Sequence, residues 1–213
     1  PETLGSVMRG LVLSGAAISL YGDSRPASGA EHHMSHYWET ILEQRGIRPA
    51  MHGEQVAVGT VLVLMLIEEL LKENIDFDAA RESARAYNSA AWELEIRAHY
   101  GAAADEVIAL EQKAGKNNIE GRLARIDSMQ RNWDAVRVQL ETLPESSSVR
   151  ALLRDIGCPC TPADIGVDDE LLMDTFRYCK EIRARYTVFQ TVYDLGLTDK
   201  LAARVIEKAN STD

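Results

Sequence analysis

The chain has 213 residues, long enough to bury a substantial core without disulfides or structural metals, and its 46% apolar and 26% charged content is that of a globular protein. A formal charge of -10, with no basic stripe and no aromatics interleaved with basic residues, argues against a nucleic-acid partner. The longest apolar run, Val56 to Ile67, is shorter than the roughly 20 residues a bilayer span needs, so no membrane insertion is expected.

Apolar residues recur at helical spacing along almost the whole chain, and no stretch shows the strict alternation of strands, so the fold class is all-α. A first helix runs from about Glu2 to Leu20 and breaks at Tyr21-Gly22-Asp23-Ser24-Arg25-Pro26. Ser28-Gly-Ala-Glu31 has the form of a capping box and opens a second helix, to about Gln44. A third, from near His52 to near Glu73, is apolar all round over Val56 to Ile67 and is the expected core helix. Shorter helices follow at about 78–87, 91–99 and 103–114, then a longer charged outer helix at 119–143. Further helices are expected at 147–156, 168–185, 188–195 and 199–209, with residues 158–166, which include Pro159 and Pro162, as a connector. The helical bundle is read as one domain over 1–213.

Cys158, Cys160 and Cys179 are an odd number with no C-x-x-C spacing, which fits reduced thiols and a cytoplasmic setting, and no signal peptide is recognisable. The chain opens on Pro1-Glu2-Thr3, which suggests a piece of a longer protein.

Four of the five histidines fall at His32, His33, His36 and His52. His32 and His36, four apart on a helix, share one face, while His33 points about a third of a turn away. From His32 to Gly46 a helix advances about 21 Å, and six extended residues can return about 20 Å. His52 can therefore arrive beside His32. Two or three imidazoles at one spot suit a catalytic metal, which takes about three protein ligands and keeps a position open. By geometry alone His36 fits either as third ligand or as a proton relay one turn away.

The segment Ser24-Arg-Pro-Ala-Ser-Gly-Ala-Glu-His-His-Met-Ser-His-Tyr-Trp-Glu39, followed by His52-Gly-Glu-Gln-Val-Ala-Val-Gly59, resembles the sn-glycerol-1-phosphate dehydrogenases, of the wider group of iron-type alcohol dehydrogenases and 3-dehydroquinate synthase. Leu13-Ser-Gly15, Thr161-Pro-Ala-Asp-Ile-Gly166 and Arg183-Ala-Arg-Tyr-Thr187 extend the likeness, whereas 74–143 is less diagnostic. The resemblance implies the helical C-terminal domain of such an enzyme. NAD or NADP would be held by an N-terminal α/β domain absent from this chain, so the fragment alone is expected to be inactive. It implies His32 and His52 as ligands of a zinc, nickel or iron ion, whose third ligand, an upstream aspartate, has no counterpart here. His36 becomes the candidate for proton transfer, and Arg25 and Ser28, beside a helix N-terminus, the candidates for substrate phosphate. Arg183 and Arg185, near Tyr186, either close over the cleft or simply complement the dipole at a helix end. The implied reaction is reversible hydride transfer to dihydroxyacetone phosphate, a step of phospholipid metabolism, with a homo-oligomer possible. Glycerol dehydrogenase, 3-dehydroquinate synthase and a non-catalytic helical module are the alternatives. The Glu-His-His-Met-Ser-His run departs from the Gly-His-Thr-Phe-Gly-His of the synthase and favours the dehydrogenase.

Overall fold

A computed structural model describes residues 2–24 and 27–211; Arg25, one of the two phosphate candidates, lies outside them. Among the described residues the chain is all helical and has no strand.

The helix α1 (Glu2–Tyr21) ends at Gly22, whose φ of 77° is cheap only without a Cβ. α2 (Ala30–Gln44) and α3 (His52–Leu71) form the centre. On α2 the residues Ala30, Met34, Tyr37, Trp38, Ile41 and Leu42 recur at helical spacing and are all buried. Opposite them α3 buries Val58, Val61, Leu62, Met65, Leu66 and Leu70. The two helices close up at Gly59, where a Cβ would stand 3.1 Å from the backbone oxygen of Glu31.

Around this pair lie α4 (Phe77–Arg85), α5 (Ser89–Tyr100), α6 (Ala104–Ala114), α7 (Ile119–Leu140) and α8 (Ser146–Asp155), then α9 (Asp169–Tyr178), α10 (Val188–Asp194) and α11 (Thr198–Asn210). α2, α8 and α11 pack on α3, and the Nε1–H of Trp38 donates to Thr175 Oγ1 at 2.8 Å, tying α2 to α9. α7 buries only Arg122, Ile126 and Met129, as an outer helix should.

Two expectations need correction. The single helix expected at 168–185 stops at Tyr178 and gives way to a 3-10 turn, Cys179–Glu181. This turn carries Lys180 and Glu181 into the interior, where Glu181 accepts from Lys116, Lys180, Asn117 and Trp92. Tertiary charge pairing overrides helix propensity there. The capping box led by Ser28 does not form: Gly29 is the N-cap, without a side-chain bond, and Glu31 reaches back to the Gly29 N–H. Among the described residues one helix, Thr3–Tyr21, is long and apolar enough to cross a bilayer; no residue of that span is buried, and core or signal helices meet the same test.

Candidate metal centre

His32, His36 and His52 come together. Ring centroids of His32 and His36 both lie 5.3 Å from that of His52 and 6.4 Å from each other. One turn of α2 aligns the first two, and the 45–51 segment, after a turn at Gly46 (φ 70°), returns the chain so that His52 opens α3 beside them.

The carboxylates decide how the rings are oriented. Glu31 Oε1 lies 2.8 Å from His32 Nδ1, Glu39 Oε2 lies 3.0 Å from His36 Nδ1, and Glu39 Oε1 lies 2.9 Å from His52 Nδ1. An ionised carboxylate only accepts, so each imidazole carries its proton on Nδ1 and keeps the Nε2 lone pair for another purpose. Among the described residues no hydrogen bond ties up these Nε2 atoms. Carboxylates that fix the tautomer and aim of an imidazole are the usual outer support of metal-binding histidines. The donor set therefore fits a divalent ion.

Glu39 went unnoticed in the sequence. Burial acts to raise its pKa, but the hydrogen bonds and charges of His52 and His36 outweigh this and hold it below the usual glutamate range. Donor atoms of His36, Glu39 and His52 lie within 4.8 Å of one another, and among the described residues this is the group spaced to share one ion; His32 is not in it. The i, i+3 spacing of His36 and Glu39 was the signal that could have revealed it. Ser35 Oγ, 3.0 Å from His52 Nδ1, donates to Gln55 Oε1 at 3.3 Å and steadies the α3 side of the cluster.

His33 is separated from the other three. It is buried, both its ring nitrogens lack a partner, and burial first, then the charges of Lys116, Arg185 and Arg183, push its pKa down to about 4. It is a neutral core residue at neutral pH. The fifth histidine, His99, stacks on Tyr178 with centroids 4.1 Å apart.

Ser28 is half-buried at the entrance to α2, and its carbonyl accepts from Arg185 Nη1 at 3.1 Å. Arg185 also donates through Nη2 to Asp23 Oδ1 at 3.0 Å and Ser24 Oγ at 2.7 Å. Asp23 thus pairs with Arg185. Exposed Arg183 lines a cavity of about 480 Å³ beside His36, together with Glu39, Thr40, Glu43, Tyr100 and Glu106.

No family model matches the chain, and no solved structure matches it. Curated relatives do. The chain is 26% identical to the glycerol-1-phosphate dehydrogenase [NAD(P)+] of Halalkalibacterium halodurans, over 84% of this chain and 35% of that protein. To the enzyme of the same name from Geobacillus stearothermophilus it is 27% identical, over 89% of this chain and 38% of the relative. A shorter stretch of 69 residues is 48% identical to the Archaeoglobus fulgidus protein of that name, covering 32% of this chain and 18% of the relative. The chain thus spans a little over a third of the length of the relatives it matches most broadly. By sequence the chain is thus similar to glycerol-1-phosphate dehydrogenases over most of its length.

Proposed function

We propose that this chain is the metal- and substrate-binding part of an NAD(P)-linked sn-glycerol-1-phosphate dehydrogenase. The observation that carries the reading is the convergence of three imidazoles, each with Nδ1 bonded to a carboxylate and Nε2 left over. His32 and His52 would hold a zinc, nickel or iron ion, since imidazole suits all three. The ion, when bound, would supply Lewis-acid polarisation of the substrate carbonyl. The nicotinamide, when bound, would supply the hydride that reduces C2 of dihydroxyacetone phosphate, and the part left to this chain is delivery of one proton to the carbonyl oxygen.

His36 is the group proposed to move that proton. Its Nδ1 is held by Glu39, so a proton taken or given at Nε2 can be balanced through the ring by the carboxylate behind it. Glu39 therefore links His36 with the ligand His52 and keeps both rings in one orientation.

The cavity beside His36 sets one arginine, Arg183, against Glu39, Glu43 and Glu106, a poor balance for a dianionic phosphate. The N-terminus of α2 is favoured instead, where the helix dipole meets Ser28. NAD or NADP would be held outside the described residues. A cytoplasmic setting without membrane insertion belongs to the same proposal.

The test is an assay of the full-length protein, with metal restored, against dihydroxyacetone phosphate, unphosphorylated dihydroxyacetone and the dehydroquinate precursor. Oxidation of NAD(P)H with the phosphorylated ketone is expected. Turnover of either other compound alone would remove this substrate assignment.

A further inference from the structure

We propose that Arg185 is a positioning residue for the metal centre, acting through one peptide plane and Glu31 on the tautomer of His32; this deepens the metal reading above and rests on it. The peptide unit between Ser28 and Gly29 is planar and rigid, with its C=O and N–H pointing in opposite directions. Arg185 Nη1 grips the C=O end at 3.1 Å, and the N–H end donates to Glu31 Oε1 at 2.8 Å. The same Oε1 accepts from His32 Nδ1 at 2.8 Å. A side chain 157 residues away in sequence thereby sets the angle at which a donor is presented to the carboxylate behind one imidazole.

Both heads of the guanidinium are used. While Nη1 holds Ser28, Nη2 holds Asp23 and Ser24, so the loop from α1 to α2 is clamped at its start and its end. A planar fork can do this and an ammonium cannot, because a single charged point does not reach two separated acceptors in fixed directions. The clamp matters because the N-cap Gly29 has no side-chain bond of its own and would otherwise leave the peptide free to rotate. Hydrogen bonds in series also polarise one another, so a C=O held by a cation makes its own N–H a better donor to Glu31.

His36 and His52 supply an internal control. Their Nδ1 atoms depend on Glu39, which takes no bond from the Ser28–Gly29 peptide or from Arg185. A change at Arg185 should therefore be felt at His32 and not at the other two rings.

The experiment compares wild type, Arg185→Met and Arg185→Lys by long-range ¹⁵N–¹H NMR of the histidine rings at fixed neutral pH without metal, and by titration with Co²⁺. In Arg185→Met, His32 should lose its single Nδ1–H tautomer pattern while His36 and His52 keep theirs, and Co²⁺ affinity should fall about 10- to 100-fold. Arg185→Lys should lie between. An unchanged His32 and unchanged affinity would overturn the proposal, as would an equal disturbance of all three rings, which marks general loosening. If wild type takes up no Co²⁺, the metal reading falls, and the His32 tautomer alone then upholds or overturns the role of Arg185.

Discussion

Glu39 Oε1 stands 2.9 Å from Nδ1 of His52, thirteen residues away and on a different helix. The other oxygen of the same carboxylate holds His36, so one side chain orients a ring on each of the two central helices. Glu39→Gln keeps the shape and replaces one acceptor oxygen with an NH₂ donor, which can satisfy only one Nδ1–H. Metal affinity of the full-length protein should drop about 10- to 100-fold, measured by competition with a chromophoric chelator. If Glu39 is instead a direct ligand, loss should reach the level of the histidine variants.

Replacing His32 or His52 with alanine removes a donor atom outright. Each variant should lose stoichiometric metal by elemental analysis while retaining its helical circular dichroism, because both side chains are partly solvent-exposed. Stoichiometric metal in both variants would refute the ligand assignment. His36→Ala should retain metal and lose turnover, by about 10²- to 10⁴-fold for a lost proton-transfer group.

The sequence placed these residues on helices and arithmetic brought them together, because i, i+4 spacing and chain reach are local properties. Glu39 was missed since its role depends on His52 arriving from another helix. Ser28 was misread because Glu31 reaches the N–H of Gly29, a geometry that a Ser-x-x-Glu pattern cannot distinguish from a capping box. The end of α9 was hidden for another reason: Lys180 and Glu181 leave the helix to meet Lys116, Asn117 and Trp92, partners 64 to 89 residues distant.

Gly59→Val tests whether the spacing of the two central helices governs the site. Its Cβ would lie 3.1 Å from Glu31 O and 3.4 Å from Glu31 Cα, both backbone atoms that cannot rotate away. Overpacking should cost about 1–3 kcal/mol in denaturant unfolding. Weaker metal binding should accompany it, because Glu31 and His32 ride on the backbone that must retreat. Undiminished stability would show that α2 and α3 separate freely.

Acid sensitivity should come partly from Glu181. Burial alone would raise its pKa, but Lys180 and Lys116 dominate and lower it, to about 2. A carboxyl with a folded pKa below its unfolded value contributes stability above the unfolded value, near 4.5, and loses it as pH falls towards the folded one. Unfolding free energy measured from pH 6 to pH 2.5 should therefore decline below about 4.5. Glu181→Gln should flatten that decline and, by leaving buried Lys180 without its carboxylate, cost about 3–5 kcal/mol at neutral pH. A variant with the same acid slope as wild type would locate the sensitivity elsewhere.

α1 carries a different lesson. Its apolar residues Leu4, Val7, Met8, Leu11, Val12, Leu13 and Leu20 are all more than half exposed, and Gly5, Gly10 and Gly15 each weaken a helix by about 1 kcal/mol relative to alanine. A helix of this length gains little from propensity alone in water. Its amides should therefore exchange with solvent deuterium far sooner than those of α2 and α3, through local fraying that leaves the rest of the bundle closed. Early exchange confined to α1 would mean that its unfolding is uncoupled from that of the α2–α3 pair; equal protection in all three helices would refute this.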